Sequence, residues 1–303
     1  MVANPSSGRH GDIGRDLSVA LKVTLLLLLL TLRHIVAAAD EAVPIAHETV
    51  VIPSGGLQLK AFLWRPDGTG PFPAVLFNHG SGSTDPSHTG PLAITEAAER
   101  LGPVFVKHGY AFLYLFRRGQ GLSADQGSFI QSVLQSEETA RGKEASQHLQ
   151  FVLMTTDHLD DVLAGLRFLK NLPLIDSHRI AMAGHSFGGQ LSLLAAGTDN
   201  SVRAVVTFGA AAASWKNSSE IRERLLVALR KTNSPIMLVH AANDYSTIPG
   251  EIMAEELEKL ARVHSLKIYG PVGKTSDDGH NFVYTAIDQW ENDVFNFLDE
   301  YTH

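Results

Sequence analysis

The sequence predicts a single α/β domain built around a mostly parallel β-sheet with helices on both faces. Short apolar runs, of the kind buried on both faces of a parallel sheet, alternate with segments whose apolar residues recur at spacings of three and four. No internal repeat and no linker rich in Pro, Gly and Ser divides the 303 residues. Catalytic residues of such a domain are expected at the carboxyl ends of the strands.

Eight strands are predicted, and the first two form a hairpin. Residues 50–53 and 57–63 flank Ser54-Gly55-Gly56, where the Gly-Gly pair supplies the positive φ of a tight turn. The other strands are the apolar runs at 74–77, 111–116, 180–183, 202–208, 236–241 and 266–269. Helices are predicted between and after these strands, at 95–107, 159–169, 188–196, 221–231, 251–261 and 282–298.

Two segments depart from this strict alternation and leave from strand ends. They are the polar stretch from Gln120 to Thr156 and the segment after Phe208. Either segment could roof a pocket. For residues 137–144 a solvated surface helix is favoured instead, because charged residues occupy most of its faces.

Composition excludes several classes of function. The net charge is −7 and no run of five Lys or Arg residues occurs, so nucleic acid is not an expected partner. The absence of cysteine excludes disulfides, thiolate metal sites, a cysteine nucleophile and lipid attachment to an N-terminal cysteine. No H-E-x-x-H or phosphate-loop motif is complete, so neither a metal nor another cofactor is expected.

The first forty residues have the layout of a secretory signal peptide. Three basic residues precede the apolar run at 23–32, and Ala37-Ala38-Ala39 then offers a cleavage site before Asp40. A run of ten residues is too short to span about 30 Å of hydrocarbon. We therefore expect a signal peptide at 1–39, an exported catalytic domain at 40–303 and no stable membrane span in the mature form. The alternative is an uncleaved N-terminal membrane anchor.

Residues 184–188, Gly-His-Ser-Phe-Gly, form a G-x-S-x-G pattern between a predicted strand and a predicted helix. This context is typical of a nucleophile on a sharp strand-to-helix turn. Gly184 and Gly188 have no Cβ, which allows strand and helix to approach closely around the serine. Ser186 is therefore the predicted nucleophile.

A serine nucleophile needs an adjacent base and an acid that orients that base. Asp244 follows the strand at 236–241, and His280 lies between the last strand and the final helix. The order Ser186, Asp244, His280 matches the Ser, Asp, His order of one large hydrolase class. Asp277 and Asp278 are competing acids that rank lower, because they lie beside His280 in its own loop. Asp278 is expected to shape the turn.

Acyl transfer also needs donors for the developing oxyanion. The backbone N–H of Phe187 is one candidate, and the N–H of Ser81, in the Gly-rich turn after the strand at 74–77, is the other. Gly82 is the alternative to Ser81. His79 is expected to hold this turn by hydrogen bonds and not to act as a base.

From about residue 48 to residue 302 the chain resembles the α/β-hydrolases, and is most similar to dienelactone-hydrolase-like and prolyl-oligopeptidase-like serine esterases. The residues that carry the resemblance are the His79-Gly80 turn, the segment from Arg118 to Ser123, the Ser186 turn, Asp244 and Gly279-His280. In such families the segment at 118–123 shapes the core near the pocket. Arg117 and Arg118 are accordingly expected to be structural, with binding of a substrate carboxylate as the alternative. Dienelactone hydrolases of this kind typically carry a cysteine nucleophile, so dienelactone is not the expected substrate.

The sequence thus predicts a serine hydrolase that cleaves small-molecule carboxylic esters through an acyl-Ser186 intermediate. Two alternatives stay open. One is a peptidase or amidase of the prolyl-oligopeptidase-like type, since the same residues cleave amides. The other is a non-catalytic binding protein on the same fold. No sequence feature specifies an oligomeric state.

Overall fold

A computed structural model describes residues 1–3, 46–82 and 92–303 of the chain. The fold lies in the unit Ile45–His303. The predicted signal peptide, with its cleavage site after Ala39, lies outside the described residues except for the first three.

The fold is an eight-stranded, mostly parallel sheet, as the sequence predicts, and its strands lie in the order β1-β2-β4-β3-β5-β6-β7-β8. β2 runs antiparallel to both of its neighbours, β1 and β4, and every other neighbouring pair is parallel. The strands are β1 (Glu48–Ser54), β2 (Leu57–Trp64), β3 (Phe72–Asn78), β4 (Ala111–Phe116), β5 (Ile175–His185), β6 (Val205–Phe208), β7 (Ile236–Ala241) and β8 (His264–Tyr269). β5 begins five residues before the predicted strand, and its first residue, Ile175, pairs with Phe72. The sequence pattern does not show this extension, because polar residues between Ile175 and Ile180 interrupt the apolar run.

Ten α-helices are present in the described part of the chain. They are α1 (Ile94–Lys107), α2 (Ile130–Arg141), α3 (Lys143–Thr155), α4 (Asp157–Asn171), α5 (Phe187–Ala196), α6 (Ser219–Lys231), α7 (Ile248–Lys259), α8 (Ser276–His280), α9 (Phe282–Thr285) and α10 (Ile287–Thr302). Successive residues of the central strands alternate between two hydrophobic cores. Leu76 and Leu113 pack with residues of α4 to α7 on one face, while Phe77 and Phe112 pack with residues of α1, α9 and α10 on the other. Helices therefore cover both faces. None of the helices among the described residues is sufficiently long and apolar to cross a membrane.

The structure corrects two helix predictions. Residues 137–144 are helical and mostly exposed, as predicted, but they do not form one helix, because Gly142, with a φ of 90°, ends α2 and precedes α3. The helix predicted at 282–298 is divided at Ala286 into α9 and α10. There the indole N–H of Trp290 donates to the Val283 carbonyl at 3.2 Å, which satisfies an acceptor that a continuous helix would have used.

Candidate active site

The predicted nucleophile, Ser186, lies at the junction of β5 and α5. Its φ of 53° is one that few side-chain-bearing residues adopt. The two glycines around it are required sterically. A Cβ on Gly184 would lie 2.4 Å from the Gly188 carbonyl oxygen, and a Cβ on Gly188 would lie 1.9 Å from the Asn78 carbonyl oxygen. The strand, the helix and the end of β3 are thus in direct backbone contact around Ser186.

Asp244 and His280 meet beyond the carboxyl ends of β7 and β8. The Nδ1 atom of His280 lies 2.7 Å from Asp244 Oδ1, and both residues are buried. Gly209, with a φ of 59°, makes room for the pair, since a Cβ there would lie 3.0 Å from His280 Nδ1. Burial opposes ionisation of Asp244, but the hydrogen bonds from His240 and His280 outweigh it and lower the pKa of the carboxyl below its ordinary value. The carboxylate is therefore ionised at neutral pH.

Ser186 and His280 line the same pocket of about 410 Å³, together with Gly80, His185 and Tyr245. We call this the His280 pocket. Among the described residues, no hydrogen bond joins the Ser186 hydroxyl to His280. Such bonds commonly tighten only when substrate binds. The structure thus brings His280 and Asp244 into contact and places Ser186 beside them on a shared cavity.

The two competing carboxylates have other partners. Asp278 accepts the backbone N–H groups of Lys274 and Thr275 at 2.8 and 2.9 Å and takes part in a capping box with Thr275 at the start of α8. Asp277 lines the His280 pocket and accepts the hydroxyl of Tyr245. Asp244 is the carboxylate that hydrogen-bonds to His280.

The two predicted oxyanion donors, Phe187 and Ser81, line one cavity together with Ser186. Phe187 is the first residue of α5, so its N–H is one of the donors that a helix leaves without an internal partner. Ser81 borders the same cavities as Ser186, and Gln120 holds its carbonyl through Nε2 at 2.9 Å. Their role as oxyanion donors stays a prediction.

His79 holds the turn that carries Ser81. Its Nε2 accepts the backbone N–H of Arg117 at 3.3 Å, so the proton of the neutral ring lies on Nδ1, which donates to the Gly80 carbonyl at 2.7 Å. Burial, together with the Arg117 charge, holds the pKa of His79 well below its ordinary value. A buried, neutral histidine with both nitrogens engaged positions this turn.

The two arginines have different surroundings. Arg118 makes two hydrogen bonds through its guanidinium to Asp161, at 2.7 and 2.9 Å, and an ion pair with Asp157. Arg117 is completely buried, donates to the Gly80 carbonyl at 2.9 Å, and has its pKa lowered to about 10 by burial. Neither guanidinium borders the described cavities beside Ser186.

Sequence reasoning missed His240, the second partner of Asp244. Its Nδ1 donates to Asp244 Oδ2 at 2.9 Å, and both side chains are fully buried. Sequence reasoning also missed Asn243, whose amide binds the Val272 and Thr275 carbonyls and fastens the loop before His280. The sequence signal for both residues was their position near Asp244: His240 is the penultimate residue of β7, and Asn243 directly precedes Asp244 in the chain.

A second cavity of about 400 Å³ is also lined by Ser186, and His280 is not among its described lining residues. The paired helices α2 and α3 form one wall, so the segment at 120–156 does roof a pocket. We call it the glutamine pocket, because its lining includes the glutamines Gln131, Gln135, Gln147, Gln150 and Gln190. Sequence patterns gave no indication of this lining. Among the described residues, no cluster of three or more metal-ligating side chains is present.

Two buried histidines near the site make stability depend on pH. Burial, with further contributions from nearby cationic groups, lowers the pKa of both His158 and His185 to about 3, against an ordinary value of 6.5. Between pH 6.5 and pH 3 the unfolded chain therefore binds more protons at these histidines than the folded chain does. The free energy of unfolding consequently falls as the pH falls through this range. Each histidine is expected to lower the free energy of unfolding by about 2 kcal/mol at pH 5 relative to pH 7.

Urea unfolding at both pH values measures this effect. In a His158→Gln variant the loss of stability between pH 7 and pH 5 should shrink by about 2 kcal/mol. Replacing the exposed His178 by glutamine should leave the loss unchanged. Equal pH dependence in all three proteins would contradict the assignment of His158 as a buried, neutral group.

Comparison with known protein families matches residues 55–265, more than half of the chain, to the X-Pro dipeptidyl-peptidase (S15) family. The chain belongs to the S15 family. The matched range of this S15-family protein includes Ser186 and Asp244 and ends before His280. The family and the fold together identify a serine hydrolase of the α/β-hydrolase type.

One curated relative is the quorum-quenching protein AidA of Acinetobacter baumannii, which is 28% identical over 165 residues. This match covers 54% of the S15-family chain and 44% of the relative, so it spans less than half of the relative's length.

Solved structures with the same fold include hydrolases of several kinds. Dienelactone hydrolase from Anabaena variabilis has a TM-score of 0.58 at 21% identity, covering 86% of this chain and all of that one. Est1E from Butyrivibrio proteoclasticus, solved with ferulic acid bound, has a TM-score of 0.55 at 19% identity. The match covers 83% of this chain and 98% of the Est1E chain. Acylaminoacyl peptidase from Pyrococcus horikoshii has a TM-score of 0.57 at 16% identity, but only 43% of its chain is covered, against 87% of this one.

Proposed function

We propose that this S15-family protein hydrolyses carboxylic esters through an acyl-Ser186 intermediate. The observation that carries the proposal is the cavity shared by Ser186 and His280, with Asp244 bound to the far side of the imidazole. A serine on a strained turn, a base beside it and a buried carboxylate that orients the base are the three parts of acyl transfer by serine.

The hydrogen bond to Asp244 fixes which nitrogen of His280 acts as the base. Ionised Asp244 accepts from Nδ1, so Nε2 of the neutral ring carries the lone pair. His280 takes the proton of Ser186 as Oγ attacks the ester carbonyl, and Asp244 stabilises the resulting imidazolium. The N–H groups of Phe187 and Ser81 would hold the oxyanion.

Collapse of the tetrahedral intermediate completes the first half of the reaction. The carbon–oxygen bond to the alcohol breaks, and His280 returns its proton to the leaving oxygen. Water then replaces the alcohol. It loses a proton to His280, attacks the acyl-Ser186 carbonyl and releases the acid, and the proton returns to Ser186.

Peptide or amide hydrolysis is the second candidate, and membership of the S15 family favours it. The extent of the structural matches supports the ester: dienelactone hydrolase and Est1E are covered over 100% and 98% of their lengths, whereas the acylaminoacyl peptidase is covered over 43%. The same residues can attack either bond, so the substrate comparison decides the ranking.

Labelling with a fluorophosphonate, combined with substrate comparison, tests the proposal. We expect a covalent adduct on the peptide that contains Ser186, and kcat/KM values for p-nitrophenyl esters that exceed those for aminoacyl p-nitroanilides. Faster cleavage of the anilides would reverse the order of the two candidates. A folded protein with neither adduct nor turnover would show a non-catalytic binding protein instead.

A further inference from the structure

Ser186 lines two cavities of different character. His280 and Tyr245 line the His280 pocket, whereas α2 and α3 wall the glutamine pocket, and the two cavities meet at Ser81, Gln131, Ser186 and Ala213. An ester bound with its carbonyl carbon at Ser186 can therefore extend one part into each cavity.

The proton transfer decides which part enters which cavity. His280 must return its proton to the leaving oxygen, so the alcohol has to lie on the side of the imidazole. The acyl group then extends away from His280, past Phe187 and Gln190, into the glutamine pocket. The lining of that pocket therefore determines which acid is accepted.

The glutamine pocket is polar. Among the described residues that line it, the only apolar ones are Leu134, Phe187 and Ala213. Polar side chains surround the cavity both near the nucleophile and along α2 and α3, and its two charged residues, Glu138 and Lys143, are of opposite sign, so the described lining has no net charge. An alkyl chain entering this space would displace water from these groups without replacing its hydrogen bonds.

The glutamine amides in this pocket have unused hydrogen-bonding capacity. Within the described residues, the side chains of Gln131, Gln147 and Gln150 form no hydrogen bond with the protein. Gln190 is 3% exposed, and its Oε1 accepts from Ser214 at 3.5 Å, while its NH₂ group has no partner in the part of the chain that the structure describes. A primary amide both donates and accepts, so this lining matches neutral groups that do the same.

We infer that the acyl part of the substrate is an acid bearing neutral hydrogen-bonding groups, such as an amide or hydroxyl, and not a plain alkyl chain. This inference rests on the proposed ester hydrolysis. It concerns which acids are selected, and the chemistry at Ser186 is the same for either kind of acid.

Two isosteric substrates with one leaving group test the inference. The ethyl esters of N-acetylglycine and 4-methylpentanoic acid differ by an amide in place of a branched alkyl segment, and both release ethanol. Each kcat/KM is divided by the rate of hydroxide-catalysed hydrolysis of the same ester, which removes the difference in intrinsic reactivity. We expect the normalised ratio to favour N-acetylglycine by at least about threefold, as one neutral hydrogen bond would give.

Replacing the amides of α3 should shift this ratio. Gln147→Leu and Gln150→Leu preserve approximate size while removing hydrogen bonds, and each is expected to lower the ratio by about three- to tenfold where its amide contacts the substrate. The control is Gln289→Leu, at an exposed position of α10 outside both pockets. Fluorophosphonate labelling of Ser186 in every variant reports whether the site is folded.

The outcomes separate this inference from the proposed function. A wild-type ratio at or below one, or a ratio unchanged in both α3 variants, would overturn the inference while ester hydrolysis stands. Labelling without turnover of either ester would overturn it as well. The absence of both labelling and ester turnover would overturn the proposed function itself. If the α3 variants fail to fold, the wild-type ratio alone decides.

Discussion

Replacing Ser186 by alanine is expected to lower ester turnover by about 10⁶-fold, because no other group in the site can form the acyl intermediate. The fold should be retained. Alanine has the same Cβ as serine, so the strained φ of 53° is unchanged, and the Ser186 hydroxyl forms no hydrogen bond among the described residues. The free energy of unfolding should stay within about 0.5 kcal/mol of the wild-type value.

Steady-state kinetics and urea unfolding of the same preparations measure both quantities. Ser136→Ala, at an exposed position on α2, is the matched control and should retain wild-type turnover. Ester turnover above about 1% of wild type in folded Ser186→Ala would show that another group is the nucleophile, since serine removal in related chemistry leaves far less.

Asparagine in place of Asp244 is expected to lower turnover by about 10⁴-fold at neutral pH. The carboxylate accepts hydrogen bonds from two histidines, His280 on Oδ1 and His240 on Oδ2. An amide can accept from only one of them and must donate to the other. If His280 receives the amide N–H at Nδ1, its own proton moves to Nε2, where it can no longer take the proton of Ser186.

The comparison with Asp278→Asn makes this test specific. Asp278 lies two residues before His280 in α8, but its carboxylate caps the start of that helix, a role that asparagine also fills. Its turnover should stay within a few-fold of wild type. A larger loss in Asp278→Asn than in Asp244→Asn would make Asp278 the orienting acid and contradict the observed hydrogen bond between Asp244 and His280.

The strands and the Ser186 turn could be predicted from sequence because their signals are local. Apolar runs fix the centres of the buried strands, and the two glycines around Ser186 are required by backbone contacts that lie within a few residues of the motif or at the end of β3. The partnership of Asp244 with His280 could be predicted from chain order, since both residues follow strands that are neighbours in the sheet.

Other features depend on contacts between distant segments, and local patterns do not encode them. His240 reads as one more residue of a buried strand, and only the packed structure shows its Nδ1 on Asp244. The break at Ala286 follows from an indole hydrogen bond across two helices. The wall of the glutamine pocket forms because α2 and α3 pack against each other on either side of Gly142. The charge pattern of residues 137–144 predicts only a solvated surface helix and does not predict this pairing.

The position of α2 and α3 in the chain separates two tasks of the molecule. These helices form one excursion between β4 and α4, whereas Ser186, Asp244 and His280 all follow later strands. Replacement of residues 130–155 by another block that keeps apolar residues at the buried positions of Ile130, Leu134 and Met154 is expected to leave the catalytic residues and the sheet in place. The excursion is therefore an exchangeable part, through which a lineage or a designer could change the accepted acid while inheriting the reaction.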